Sequence, residues 1–162
     1  MIKKEIAFFC VIALFSHALV GCGGPKEPGR YYNKGQNFSI KFPVEWNKVK
    51  SPAGVTVTYG SPENSLKIGV QKQKISAQQT LSQCIDYMKG HIRRTNGKVL
   101  NSGKSVINGT DAAWIRSEIS GETALTYYMK KGNDIYSVIA TAKGNDFNEN
   151  KIYEVARSFR FE

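Results

Sequence analysis

From Lys98 to Ala142 the chain reads as four runs of alternating character, 98–107, 110–119, 123–130 and 135–142, parted only by Asn108-Gly109, Ser120-Gly121-Glu122 and a segment holding Gly132-Asn133-Asp134. Connections this short, with Gly or Asn to supply positive φ, fit hairpin turns, so this half is predicted to be an antiparallel meander. That meander constrains everything else, because the remaining elements must cover a wide sheet.

The segments before it add strands and a helix. Phe38, Ile40 and Phe42 alternate with Ser39 and Lys41 until Pro43 ends the run, as in a strand with one buried face. Val55 to Tyr59 and Leu66 to about Lys74 make two more, and the three are expected to pair as an antiparallel ribbon. Ser76 with Gln79 forms a capping-box start, and Leu81, Cys84, Ile85, Met88 and Ile92 share one stripe at 100° per residue. Asn96-Gly97 supplies the stop. A last helix over 147–156 would bury Phe147, Ile152 and Val155, leaving Phe159 and Phe161 for a terminal strand. Neither an internal repeat nor a low-complexity tract is visible.

The first residues describe an address. Lys3 and Lys4 precede an apolar run, Ile6 to Val20, which is too short to cross a bilayer as a helix of about 20 residues. It ends in Leu19-Val20-Gly21-Cys22, the arrangement of a bacterial lipobox. Cleavage before Cys22 and lipidation of its thiol by diacylglycerol are expected, and two or three acyl chains hold a protein stably where one does not. No Ala-x-Ala site for an ordinary secretory cut is present. The chain is therefore divided into a signal peptide at 1–21, a Gly/Pro-rich tether at 22–30 and one domain at 31–162. The absence of Asp after Cys22 favours the outer membrane if the source has two membranes.

Composition bounds the domain. Of 162 residues with net charge +10, the part after Gly21 carries +9 and has a typical single-domain length. Cys10 lies in the signal and Cys22 takes lipid, so only Cys84 remains and no intramolecular disulfide can form.

Phe38-Ser39-Ile40-Lys41-Phe42-Pro43-Val44-Glu45-Trp46, a strand running into a Pro-x-x-Trp corner, resembles the opening of the PsbP-like domain. Ile107-Asn108-Gly109 before Ala112-Ala113, and the closing Ala156-Arg157-Ser158-Phe159, extend the resemblance over most of 31–162. It implies an α+β fold, an α-β-α sandwich whose central, mainly antiparallel sheet of about six or seven strands has helices on both faces. The family includes an extrinsic photosystem II subunit, a yeast Ran-binding import factor and bacterial lipoproteins, so membership does not assign an activity. No residues here match a photosystem or Ran contact surface.

Chemistry-bearing residues are few. After the signal there is one histidine, His91, and one unlipidated thiol, Cys84. Seven apart on one helix, they stand about 10 Å apart along the axis, beyond the reach of a nucleophile and its base. Cys84, Met88 and His91 form an i, i+4, i+7 row of soft donors suited to Cu(I), although core packing of Cys84 and Met88 explains them more simply. Zinc motifs and phosphate loops are absent. Asp111, Glu118, Glu122 and Asp134 follow no Ca²⁺ loop spacing. No catalytic residue, metal or cofactor is assigned, and the domain is expected not to be an enzyme.

Charge suggests another activity. Lys72 and Lys74, then Arg93, Arg94 and Lys98 beside His91, and separately Lys130 with Lys131, are candidate contacts for anionic lipid headgroups or envelope polymers. The plainer account is a solvated surface and a complemented helix dipole. No basic motif interleaved with aromatics is present, so nucleic acid is not an expected partner. Trp46, Trp114, Tyr31, Tyr32, Tyr127 and Tyr128 could line a protein-binding face, but the tryptophans suit a core better, and Tyr31 and Tyr32 at the tether junction are best placed for a contact. The expectation is a membrane-anchored binding or scaffold module for an envelope protein partner, with an anionic-polymer module and a metal-handling protein as alternatives.

Overall fold

In the computed structural model, residues 27–162 are described; the signal peptide, the lipobox and Cys22 lie outside them. The strands are β1 (Arg30–Asn33), β2 (Phe38–Lys41), β3 (Asn47–Val49), β4 (Val57–Gly60), β5 (Leu66–Lys74), β6 (Lys98–Ile107), β7 (Thr110–Ile119), β8 (Glu122–Lys131), β9 (Asp134–Lys143) and β10 (Arg160–Phe161), with helices α1 (Leu81–Arg94) and α2 (Glu149–Arg157). Seven strands form one antiparallel sheet in the order β3-β4-β5-β9-β8-β7-β6, and β1-β2-β10 form a smaller one.

The meander is as expected. Its hairpins turn at Asn108 and Gly109, with φ of 46° and 75°, and at Ser120 and Gly121, with φ of 52° and 78°, values that suit primed turns. Strand β5 then returns to the centre of the sheet against β9 over nine register pairs, from Leu66↔Ala142 to Lys74↔Asp134.

The expected ribbon of three strands is corrected. β4 and β5 pair, but the Phe38 strand leaves the large sheet and pairs with β1 and β10. Phe38, Ile40 and Phe42 are almost fully buried, and the small sheet presses these side chains onto the large one. Ring contacts join the two: Phe159 lies 5.6 Å from both Phe38 and Tyr136, and the Tyr136 hydroxyl donates to the Gln36 carbonyl at 2.9 Å.

Two buried clusters follow from the two-residue period of the strands. Ala112, Leu125, Tyr127, Met129, Tyr136 and Val138 pack with the small sheet and with Ile152, Val155 and Ala156 of α2. Their alternates Ala113, Ile115, Tyr128 and Ile135 pack with Cys84, Ile85 and Ile92 of α1.

Helix starts differ from expectation. Thr80, not Ser76, caps α1: its hydroxyl accepts from the Gln83 amide while the Gln83 side chain accepts from the Thr80 amide. Residues 76–79 instead bridge from the sheet to the helix layer, after the Ile75 amide bonds the Asn133 carbonyl at 2.9 Å. Helix α2 begins at Glu149 behind an Asn148 cap, so Phe147 precedes it and is only partly buried.

The tether boundary also moves. Glu27 bonds Arg30 at 2.6 Å and Lys41 at 3.0 Å, and the Phe42 amide donates to the Gly29 carbonyl. Glu27 is thus already packed against the body, and Arg30 belongs to β1. Gly29 has φ +74°, and a Cβ there would lie 2.4 Å from the Phe42 carbonyl oxygen, so the glycine is needed for a close turn rather than for slackness.

Candidate functional site

Register divides the candidate basic residues. Lys74 and Lys131 both lie opposite Asp134, on β5 and β8 respectively, and Lys72 stands two residues back on β5. Asp134 bonds Lys72 at 3.0 Å and Lys74 at 2.9 Å; those ammonium groups, Lys74 first, hold its carboxyl below the usual range. Lys131 sits 4.7 Å from the Phe161 ring and Lys72 5.2 Å from that of Tyr136. Three lysines therefore surround one acid beside the small sheet.

The other basic residues do not join them. Lys130 neighbours Lys131 in sequence, but alternation sends it to the opposite face, where its charge partly offsets the burial that raises the Cys84 thiol pKa. Arg93 and Arg94 end α1 and Lys98 opens β6, near the β7–β8 hairpin: Lys98 pairs in register with Glu118, and Ile119 lies beside Gly97. Arg94 lies over the Tyr87 ring at 5.7 Å. That end is the length of β8 away from Lys131, roughly 30 Å at ~3.3 Å per residue.

The soft-donor row does converge. Cys84, Met88 and His91 line one recess of about 560 Å³ with Ile75, Gln79 and Ile135. Cys84 is buried, Met88 half-buried and His91 exposed, so packing accounts for the first two. Among the described residues no three His, Cys, Asp or Glu side chains are placed to hold a metal ion. Asp111 and Glu118 sit at opposite ends of β7, and Asp134 is taken by lysines.

A polar cleft went unseen in the sequence. It measures about 720 Å³ and opens at the start of α2, lined by Trp46, Glu63, Arg116, Phe147, Glu149 and Lys151 among others. Beside it lies a smaller recess of about 370 Å³ with Asn101, Trp114 and Tyr127, and Arg116 and Glu149 line both. These two side chains form an ion pair across β7 and α2, while Lys151 bonds Glu45 at 3.3 Å and lies 5.5 Å from the Trp46 ring. Trp46 Nε1 and Arg116 Nε are buried without a hydrogen-bond partner among the described residues. Burial, reinforced by Glu149 and Tyr153, raises the Tyr127 pKa, and burial pushes Tyr128 on the other face up to about 12. Both phenols therefore keep their protons at neutral pH. The cleft offers N–H donors, aromatic faces and paired charges, which is equipment for recognition. Asn148-x-x-Lys151, with the Asn148 side chain accepting from the Lys151 amide, was the sequence signal that could have placed its helix edge.

Comparison with solved structures gives the architecture. Cyanobacterial PsbP (CyanoP) from Synechocystis sp. PCC 6803 superposes with a TM-score of 0.66 at 15% identity, covering 89% of this chain and 99% of that one. The fold is PsbP-like. A crystal structure from Bacteroides thetaiotaomicron VPI-5482 matches with a TM-score of 0.59 at 15% identity over 83% of this chain, which spans about half (48%) of that longer one. No protein-family model and no curated protein matches the chain. At these identities the likeness extends to the fold alone, and the PsbP-like body is assigned no activity by it.

Proposed function

We propose that this chain is a lipid-anchored domain of a bacterial cell envelope, held through Cys22 and acting without catalysis as a binding or scaffold module for other envelope components. The observation that carries the reading is Leu19-Val20-Gly21-Cys22 ending only five residue steps before Glu27, which is already bonded to Arg30 and Lys41 of the PsbP-like body. An anchor so close to a folded body supports a protein that works at the membrane surface, in the outer membrane where there are two. The division of α1 and α2 between clusters built from alternate sheet residues supports the α-β-α arrangement, with helices on both faces. In that arrangement the cleft at α2 is the proposed contact for a protein partner.

A second reading has its own observation. Lys72, Lys74 and Lys131 around the single carboxylate of Asp134 supply a local positive surface for an anionic envelope polymer or lipid. Photo-crosslinking in intact membranes separates the two. With a crosslinking side chain at Phe147, the first reading expects one adduct of fixed protein mass that persists in high salt. Salt-sensitive capture of polymer or lipid through Lys131 alone supports the second. Adducts at both positions no stronger than at exposed Val106, on the far edge strand, would overturn both.

A further inference from the structure

The chain enters its body at a fixed point. Glu27 is clamped by Arg30 and Lys41, and the Gly29 carbonyl is bonded by the Phe42 amide. Five residue steps separate Cys22 from Glu27, and even fully extended they span at most about 18 Å at ~3.3–3.6 Å each. A tether lasting to residue 30 would have allowed about 1.6 times that. Whatever surrounds Glu27 must therefore stay near the lipid.

Val44 stands against the chain two residues further along, at Gly29. At 74% exposure it is the most exposed large apolar side chain among the described residues, and it lies beside Gly29, 3.4 Å from where a Cβ on that glycine would stand. Next to it a recess of about 360 Å³ is lined by Arg30, Phe42, Pro43, Val44, Trp46 and Tyr59, with Phe42 and Tyr59 stacked at 4.2 Å. Phe42 and Trp46 are almost fully buried there and the Arg30 guanidinium is tied to Glu27 and the Ser158 carbonyl, so the recess is a firm floor and Val44 is the apolar side chain that projects from it. One valine is too little apolar surface to bind a membrane unaided. A short tether supplies the effective concentration that makes so weak a contact count.

We infer that the Pro43-Val44 corner and the recess beside it rest on the bilayer that carries the Cys22 acyl chains, fixing the orientation of the whole body. The inference rests on the lipid anchoring proposed above. In this pose β3, at one edge of the seven-stranded sheet, lies toward the membrane, and β6 at the other edge lies away from it.

The test uses full-length acylated protein in phosphatidylethanolamine/phosphatidylglycerol vesicles, with an environment-sensitive fluorophore on Val44→Cys or, as control, on exposed Val106→Cys of β6. Nitroxide-bearing lipids should quench the label at 44 several-fold more than at 106. Inserting about ten Gly/Ser residues after Lys26 should remove most of that difference. Equal quenching at both positions in protein whose Cys22 carries acyl chains by mass would overturn the orientation and leave the anchor standing. A Cys22 without acyl chains would overturn both.

Discussion

Replacing Phe159 by Ala removes the ring that joins the two sheets and the end of α2. The side chain is 1% exposed; its ring stacks on Phe38 of β2 at 5.6 Å and 15°, and meets Tyr136 of β9 at 5.6 Å and Phe161 of β10 at 5.1 Å. Core Phe→Ala changes cost about 3–5 kcal/mol through lost transfer energy and the cavity left behind. The upper half of that range is expected, because three ring pairs, worth ~0.5–1.5 kcal/mol each beyond area, are lost together. Against a total stability of roughly 5–15 kcal/mol, that is a large fraction. With an m-value of ~2 kcal/mol/M the urea midpoint should fall by about 2 M with the slope unchanged, followed by fluorescence of Trp46 and Trp114. Phe159→Leu keeps most of the volume and should cost well under half as much. A loss below ~1 kcal/mol for the Ala variant would refute the argument that the small sheet is held to the large one through this ring.

Further expectations concern the caps, the entry clamp and the lysine cluster. Thr80→Ala should destabilise the domain by about 1 kcal/mol in chemical denaturation, whereas Ser76→Ala should change little; equal losses would return the helix start to Ser76. Hydrogen bonds from Arg30 and then Lys41 hold the Glu27 carboxyl down at about 2, against 4.5 for a free group. A depressed carboxylate pKa gives stabilisation that is complete above about 4.5 and lost as pH falls toward 2. Protection of the Arg30 amide from hydrogen exchange should therefore drop across that window, and Glu27→Gln should make it low and flat with pH. Asp134→Asn frees Lys72 and Lys74, so on the anionic-polymer reading it should raise retention on anionic vesicles at low salt and steepen the salt dependence. Unchanged retention would remove this cluster from consideration.

What the sequence made legible follows from physical range. Strands β7 to β9 could be read because each buries alternate residues in different clusters, and β6 because the turn after it, like the next, needs Asn, Ser or Gly at positive φ. β3 could not: three residues, Asn47-Lys48-Val49, are mostly exposed at a sheet edge and carry no pattern. Nor could β1, since Pro28 and Gly29 look like tether until the φ of Gly29 is seen to turn the chain back onto Phe42. For α1, two consecutive box-like signals, Ser76-x-x-Gln79 and Thr80-x-x-Gln83, compete. The second wins because 76–79 must span from sheet to helix layer. The basic residues show the same limit. Alternation within β8 already separates Lys130 from Lys131, a signal present in the sequence. The meeting of Lys74 with Lys131 across Asp134 depends on the β5–β9 register, set through residues far apart in the chain.

The anchor organises the rest of the account, and one measurement addresses it directly: the mass of the N-terminal peptide of the protein extracted from membranes of its host. The account predicts a chain that begins at Cys22 and bears a diacylglyceryl thioether, with Cys22→Ser giving neither that cleavage nor that mass. An N-terminus elsewhere, or an unmodified Cys22 in the membrane-bound protein, would contradict it.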